Sequence, residues 1–152
     1  GFFKMNTGLL FSSPFYVVLR KNILKTSTLS FLPALLWTIF IFILLIIPGS
    51  DLPTASFLDL IYFDKWVHVG LFAVMTFLWS FPFFKTLKGN HFLFAFIGFS
   101  SGLYGAAMAF VQKYFASGRS FDLIDIIADT TGCLTGFLFT VYLYKRQKLK
   151  VR

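Results

Sequence analysis

Residues 122–144 read DLIDIIADTTGCLTGFLFTVYLY, an apolar run long enough to cross a hydrocarbon core as a helix. Three aspartates are set into its first third. Asp122, Asp125 and Asp129 are half of the six acidic residues in the chain, so charge is concentrated where lipid tolerates it least. At 100° per residue the three fall within an arc of about 60°. Gly132 and Gly136 continue that stripe as a GxxxG pair, and Thr140 extends it. Small residues let helix backbones approach closely in lipid, and carboxylates at this depth face a bundle interior, a cavity or a partner. Asp129 lies about 10 Å along the helix from Asp122, too deep for the end of the helix to account for it. Asp122 and Asp125 sit near the positive end of the helix dipole, with Ser120 as the expected N-cap.

Three further stretches have spanning length: about Leu29 to Ile47, Trp66 to Phe84 and Phe92 to Val111. Pro33 is tolerated in the opening turn of the first, Pro48-Gly49 ends it, and Pro82 interrupts the second near its end. The composition agrees, with 57% hydrophobic and only 13% charged residues and a mean hydropathy of +0.78. A soluble domain carries about 25% charged residues. The 23 Phe residues suit a lipid-facing surface. The net charge of +8 does not indicate nucleic acid, because the basic residues flank apolar spans instead of forming a patch. Cys133 is the lone cysteine, inside a span, and has no partner for an internal disulfide.

Loop charges set the orientation. Lys4, Arg20, Lys21 and Lys25 precede the first span, Lys85 and Lys88 fill the second loop, and Lys145, Arg146, Lys148, Lys150 and Arg152 form the tail. The first loop carries Asp51, Asp59 and Asp64 against Lys65. Both termini and the second loop are therefore expected in the cytoplasm, with the acidic first loop and the Gly118-Arg119-Ser120 loop outside. The expected fold is an all-α polytopic membrane protein with four transmembrane helices. Residues 1–28 are a basic cytoplasmic or interfacial segment, 29–144 the membrane domain and 145–152 a basic cytoplasmic tail. Within the first segment, Leu9 to Leu19 is too short to span and reads as interfacial, anchored by Arg20 and Lys21. Met5 is a candidate native start, and the long first span reads as a signal anchor more than a cleaved leader.

On the third span Gly98, Ser101, Gly102, Gly105, Ala109 and Gln112 line one face, with Gly98 and Gly102 as a second GxxxG pair. Two such stripes predict that spans three and four pack tightly against each other. On the second span Asp64 and His68 share a face beside Lys65. The topology then gathers Asp64, Lys65, His68, Gln112, Arg119, Asp122, Asp125 and Asp129 at the outer face. Asp129 there needs a partner such as Arg119, Lys65, His68 or an ion. Three readings of this cluster remain open. It is an ion-pair network locking helix ends, a cleft for a lipid or cell-wall headgroup with Arg119 and Lys65 holding an anion, or a catalytic or metal site built from His68 and the carboxylates. No ligand spacing comparable to HExxH and no phosphate loop is present, so no metal and no cofactor is expected.

The Asp64-Lys65-x-x-His68 helix start, the stretch from Tyr104-Gly105 to Gln112, the Gly118-Arg119 loop and Asp125 with its Gly132/Gly136 ladder resemble the VanZ-like family. The resemblance covers roughly residues 30–145. That family, named for a protein linked to low-level teicoplanin resistance, comprises small polytopic bacterial membrane proteins without an established activity. The resemblance implies a bacterial inner (cytoplasmic) membrane and an envelope role. Three positions depart from the family pattern: Ala109 stands where a Glu is usual, Asp129 where Asn is usual, and Ser117 where Pro often precedes Gly-Arg. The expected function is a non-enzymatic envelope protein that engages a lipid or cell-wall headgroup or serves as a small subunit of a larger membrane complex. The alternative is a metal-assisted hydrolase or transferase acting on a membrane lipid at the outer face. Membrane lipids, and other membrane subunits, are the expected partners.

Overall fold

A computed structural model of the protein describes residues 27–47, 63–84, 91–115 and 122–150. The interfacial segment with Met5, the loop lysines Lys85 and Lys88, and the Gly118-Arg119-Ser120 loop lie outside the described residues. Within them the fold is all-helical, with no strand. The helices are α1 (Leu32–Ile46), α2 (Phe63–Ser80), α3 (Phe92–Phe115) and α4 (Leu123–Lys150). Counted with their flanking turns, all four are long and apolar enough to cross a membrane.

Local chemistry sets most of the ends. A 3₁₀ turn, Thr28–Phe31, leads into α1, where Pro33 sits in the first turn and its missing N–H costs nothing. Ile47 is extended (φ −59°, ψ 130°), as the residue before Pro48 must be. At Pro82 the α2 ladder gives way to a 3₁₀ turn, Phe81–Phe83. Three helices extend further than their hydropathy implied. α2 begins three residues before Trp66, which puts Asp64 and Lys65 inside its first turn. α3 continues to Phe115, and α4 runs through Lys145 and Arg146 to Lys150.

The central feature is the seam between α2 and α4. A Cβ on Gly132 would collide with the Val69 carbonyl oxygen and lie 3.1 Å from Phe72 Cβ. One turn on, a Cβ on Gly136 would collide with the Ala73 carbonyl oxygen and lie 3.0 Å from Thr76 Cβ. The glycine ladder of α4 therefore rides on the backbone of α2, where the sequence stripes had suggested α3. α3 does pack on α4, through Gly98 and Gly105, but the two α4 glycines themselves meet α2. Asp125 and Asp129 share the glycine face, their partners Lys65 and His68 are on α2, and the ion pairs fix the rotation of the whole helix.

α3 packs on the flank of this pair. A Cβ on Gly98 would make ordinary contact with Phe137 and the Cys133 carbonyl, whereas one on Gly102 would meet nothing within 4 Å. α1 is held to α2 and α3 by side-chain hydrogen bonds. Trp37 Nε1 donates to the Leu71 carbonyl (3.0 Å), Trp79 Nε1 to Thr38 Oγ1 (3.0 Å) and Tyr104 Oη to the Thr38 carbonyl (3.3 Å). Ile41, Leu45, Phe72, Met75, Met108 and Cys133 form one buried core, and Phe83, Phe84, Leu93, Phe94 and Tyr144 a second around the Pro82 end of α2. The outside is apolar as well: Leu36, Phe99, Ile127 and Leu138 are each more than half exposed. Such a surface is a liability in water and a contact layer in lipid.

Candidate functional site

The first turns of α2 and α4 lie side by side and bring six ionisable residues together. Asp64, Lys65 and His68 come from α2, and Asp122, Asp125 and Asp129 from α4. In the outer layer the Lys65 ammonium donates to Asp122 Oδ2 (2.7 Å), to Asp125 Oδ1 and to Asp64 Oδ2 (3.3 Å). Asp122 also binds backbone, because its Oδ1 accepts the Ile124 N–H at 2.8 Å. That is N-cap bonding, so the cap falls on Asp122; Ser120 lies outside the described residues. The hydrogen bond from Lys65, with the backbone N–H of Ile124, holds the Asp122 carboxyl below the usual carboxylate range.

The inner layer is a histidine–carboxylate pair. His68 Nδ1 and Asp129 Oδ1 are 2.8 Å apart, and both side chains are almost fully buried. Asp129, the acid that demanded a partner, is met by His68. Gly105 of α3 makes room for it, since a Cβ there would stand 2.7 Å from Asp129 Oδ2. Ala109 is buried one turn further along α3. The other imidazole nitrogen, His68 Nε2, is buried without a hydrogen-bond partner and lies 3.9 Å from Asp64 Oδ1. Ligand atoms of Asp64, His68 and Asp125 all lie within 4.8 Å of one another.

The cluster thus holds four carboxylates and one ammonium, a formal −3 with His68 neutral. A lysine has three N–H donors, and Lys65 spends them on three carboxylates. It can hold an anion only by releasing one of them. Of the eight residues the sequence grouped, Gln112 falls elsewhere. Its Nε2 donates to the Leu45 carbonyl (3.2 Å), satisfying one of the last-turn carbonyls of α1 that have no intrahelical partner. Arg119 lies outside the described residues.

Loop topology had already gathered Asp64, His68 and Asp125 at one end of the bundle; what spacing could not give is that their ligand atoms come within 4.8 Å of one another. Asp64 and His68 share one helix face by their i,i+4 spacing, but Asp125 is far along the chain, and only the α2–α4 seam brings its carboxylate that close to them. An apolar crevice of about 590 Å³ opens between α1, α2 and α3, beside Thr38, Trp79, Ile97 and Tyr104. It lies toward the other end of α2 and shares no residue with the cluster.

Over 114 residues the chain is 32% identical to an uncharacterized protein of the fission yeast Schizosaccharomyces pombe. The match covers 74% of this chain and 67% of the yeast protein. The two chains belong to one family. No protein-family model matches the chain, and no solved structure matches it.

Proposed function

We propose that the chain is a four-span membrane protein, VanZ-like in kind, whose α2–α4 cluster is a ligand site for a lipid headgroup at the outer membrane face. The basic segments before α1 and after α4 support an orientation with both termini in the cytoplasm. The exposed apolar side chains of all four helices support immersion in lipid.

One observation carries the ligand-binding reading. A network built only to lock helix ends gains by satisfying every buried atom, because a half-satisfied buried network is costly. Here His68 Nε2 is left buried and unpartnered, 3.9 Å from the Asp64 carboxylate. With a family member in a yeast, the favoured ligand is a headgroup found in membranes generally, ahead of a bacterial cell-wall precursor. A role confined to the bacterial inner membrane or to glycopeptide resistance rests on the VanZ-like resemblance alone.

Native mass spectrometry of protein extracted with its lipid tests the proposal. The expected result is a lipid retained by the parent and lost in Asp125→Asn. A co-purifying polypeptide in place of the lipid favours the subunit role. Neither species across several detergents refutes both. A second reading, a metal-assisted hydrolase or transferase of a membrane lipid, is favoured by the convergence of Asp64, His68 and Asp125. It requires that the retained lipid be consumed when metal is added, and recovery of intact lipid excludes it.

A further inference from the structure

We propose that Asp64, His68 Nε2 and Asp125 form a three-ligand site for a first-row divalent cation of the zinc or manganese type. The inference rests on reading the cluster as a ligand site and deepens it by naming how an acidic cluster engages a lipid headgroup. The carboxylates alone would not carry it, since acidic groups gather at helix starts for dipole reasons. The histidine supplies the independent observation. Its side chain is 2% exposed, and its Nε2 has no partner while facing Asp64.

The opposite ring nitrogen completes the pattern. A histidine that binds metal through one nitrogen usually has the other held by a carboxylate or carbonyl, which fixes ring orientation and tautomer. Asp129 does this at 2.8 Å, itself buried and seated over Gly105. A proton shared between Nδ1 and Asp129 leaves the lone pair on Nε2, as a ligand requires.

The ligand atoms need to close in by an ångström or so to hold an ion. Metal–ligand bonds of about 2.0–2.2 Å put tetrahedral ligand atoms roughly 3.4 Å apart. The three atoms here lie within 4.8 Å of one another, and Asp64, at 57% exposure, can rotate inward once it gives up its bond to Lys65. One nitrogen and two carboxylate oxygens favour a borderline transition ion over magnesium, which prefers oxygen alone.

Lys65 then acts as the internal competitor. Its ammonium bonds to Asp125, Asp122 and Asp64, and a dication replaces it at Asp125 and Asp64 while Lys65 keeps Asp122. Three protein ligands leave a coordination position open, as in catalytic zinc sites. A headgroup phosphate oxygen fits that position, which explains how a site of formal charge −3 engages an anionic lipid.

The test is titration of the full chain in lipid nanodiscs with Zn²⁺ and Mn²⁺, followed by calorimetry and by Mn²⁺ paramagnetic resonance. One equivalent of metal is expected in the parent. His68→Ala should abolish binding, and Asp64→Asn, on the exposed edge where folding is not at stake, should weaken it by at least tenfold. Asp129→Asn should weaken it by about 10–100-fold. Lys65→Met should tighten it by more than about tenfold, because a neighbouring positive charge is removed. No stoichiometric binding in the parent overturns the proposal, as does equal affinity in the parent, His68→Ala and Asp64→Asn. Lipid retention is measured on the same samples with and without chelator. Lipid retained without any metal binding overturns the metal site and leaves the headgroup reading standing. Metal bound without lipid supports the site and removes the headgroup reading.

Discussion

Replacing Gly132 or Gly136 by alanine should open the α2–α4 seam, whereas the same change at Gly102 should not. The sequence presents both GxxxG pairs as equivalent, so the contrast isolates what the fold adds. At Gly132 the new methyl would overlap the Val69 carbonyl oxygen and press on its carbonyl carbon and on Phe72 Cβ, each at 3.1 Å. These neighbours are backbone and a fully buried ring side chain, so the helices themselves must part, by about 1 Å at that level. A gap of 0.5–1 Å forfeits roughly a quarter to a half of each contact's dispersion well of about 0.1–0.2 kcal/mol. Overpacking of this kind generally costs about 1–3 kcal/mol in all. Alanine's better helix propensity returns up to about 1 kcal/mol. The net loss is about 1–2 kcal/mol for each of the two seam glycines. Gly102→Ala meets nothing within 4 Å and should be neutral or slightly stabilising.

Reversible unfolding in mixed micelles, titrated with SDS and followed by tryptophan fluorescence, reads these differences. Trp37 and Trp79 both make interhelical hydrogen bonds, so their emission reports separation of the bundle. A loss of about 1.4 kcal/mol is a tenfold change in the unfolding constant at fixed SDS. The double variant should cost less than the sum of the singles, because a seam opened once gives the second methyl room. Wild-type stability in Gly132→Ala and Gly136→Ala, or an equal loss in Gly102→Ala, would refute the assignment of the ladder to α2.

Two further outcomes follow from the buried polar contacts. Asp129→Ala strands His68 in the core and should cost about 3–5 kcal/mol, whereas the double change His68→Leu with Asp129→Leu should recover most of that loss. A thermodynamic cycle with no coupling between the two positions would sink the pairing. Gln112→Leu removes the bond to the Leu45 carbonyl and should cost about 1–3 kcal/mol. It should also speed hydrogen exchange in the last turn of α1 and leave lipid retention unchanged. If lipid is lost with stability intact, Gln112 belongs to the cluster after all.

Much of the architecture was legible in the chain itself. Span length and apolarity are properties of single segments, so the helices and their approximate limits follow from local composition. The stripe of Asp125, Asp129, Gly132 and Gly136 follows from helical period alone. Helix ends were less legible: α2 begins before Trp66 and α4 runs on to Lys150, because hydropathy marks the greasy part of a helix and hydrogen bonding marks the whole of it.

What the stripe faces was decided by tertiary structure. A period of 3.6 residues says which side chains share a face, but which neighbour that face meets depends on helix order and rotation, a non-local property. Only the packed bundle shows the glycines against α2, Gln112 serving α1, and Asp129 with a partner in His68. Burial sharpens that last point. In water an aspartate and a histidine on separate helices need nothing from each other, but inside this seam each must satisfy the other. The nitrogen left over is what makes the cluster a candidate site.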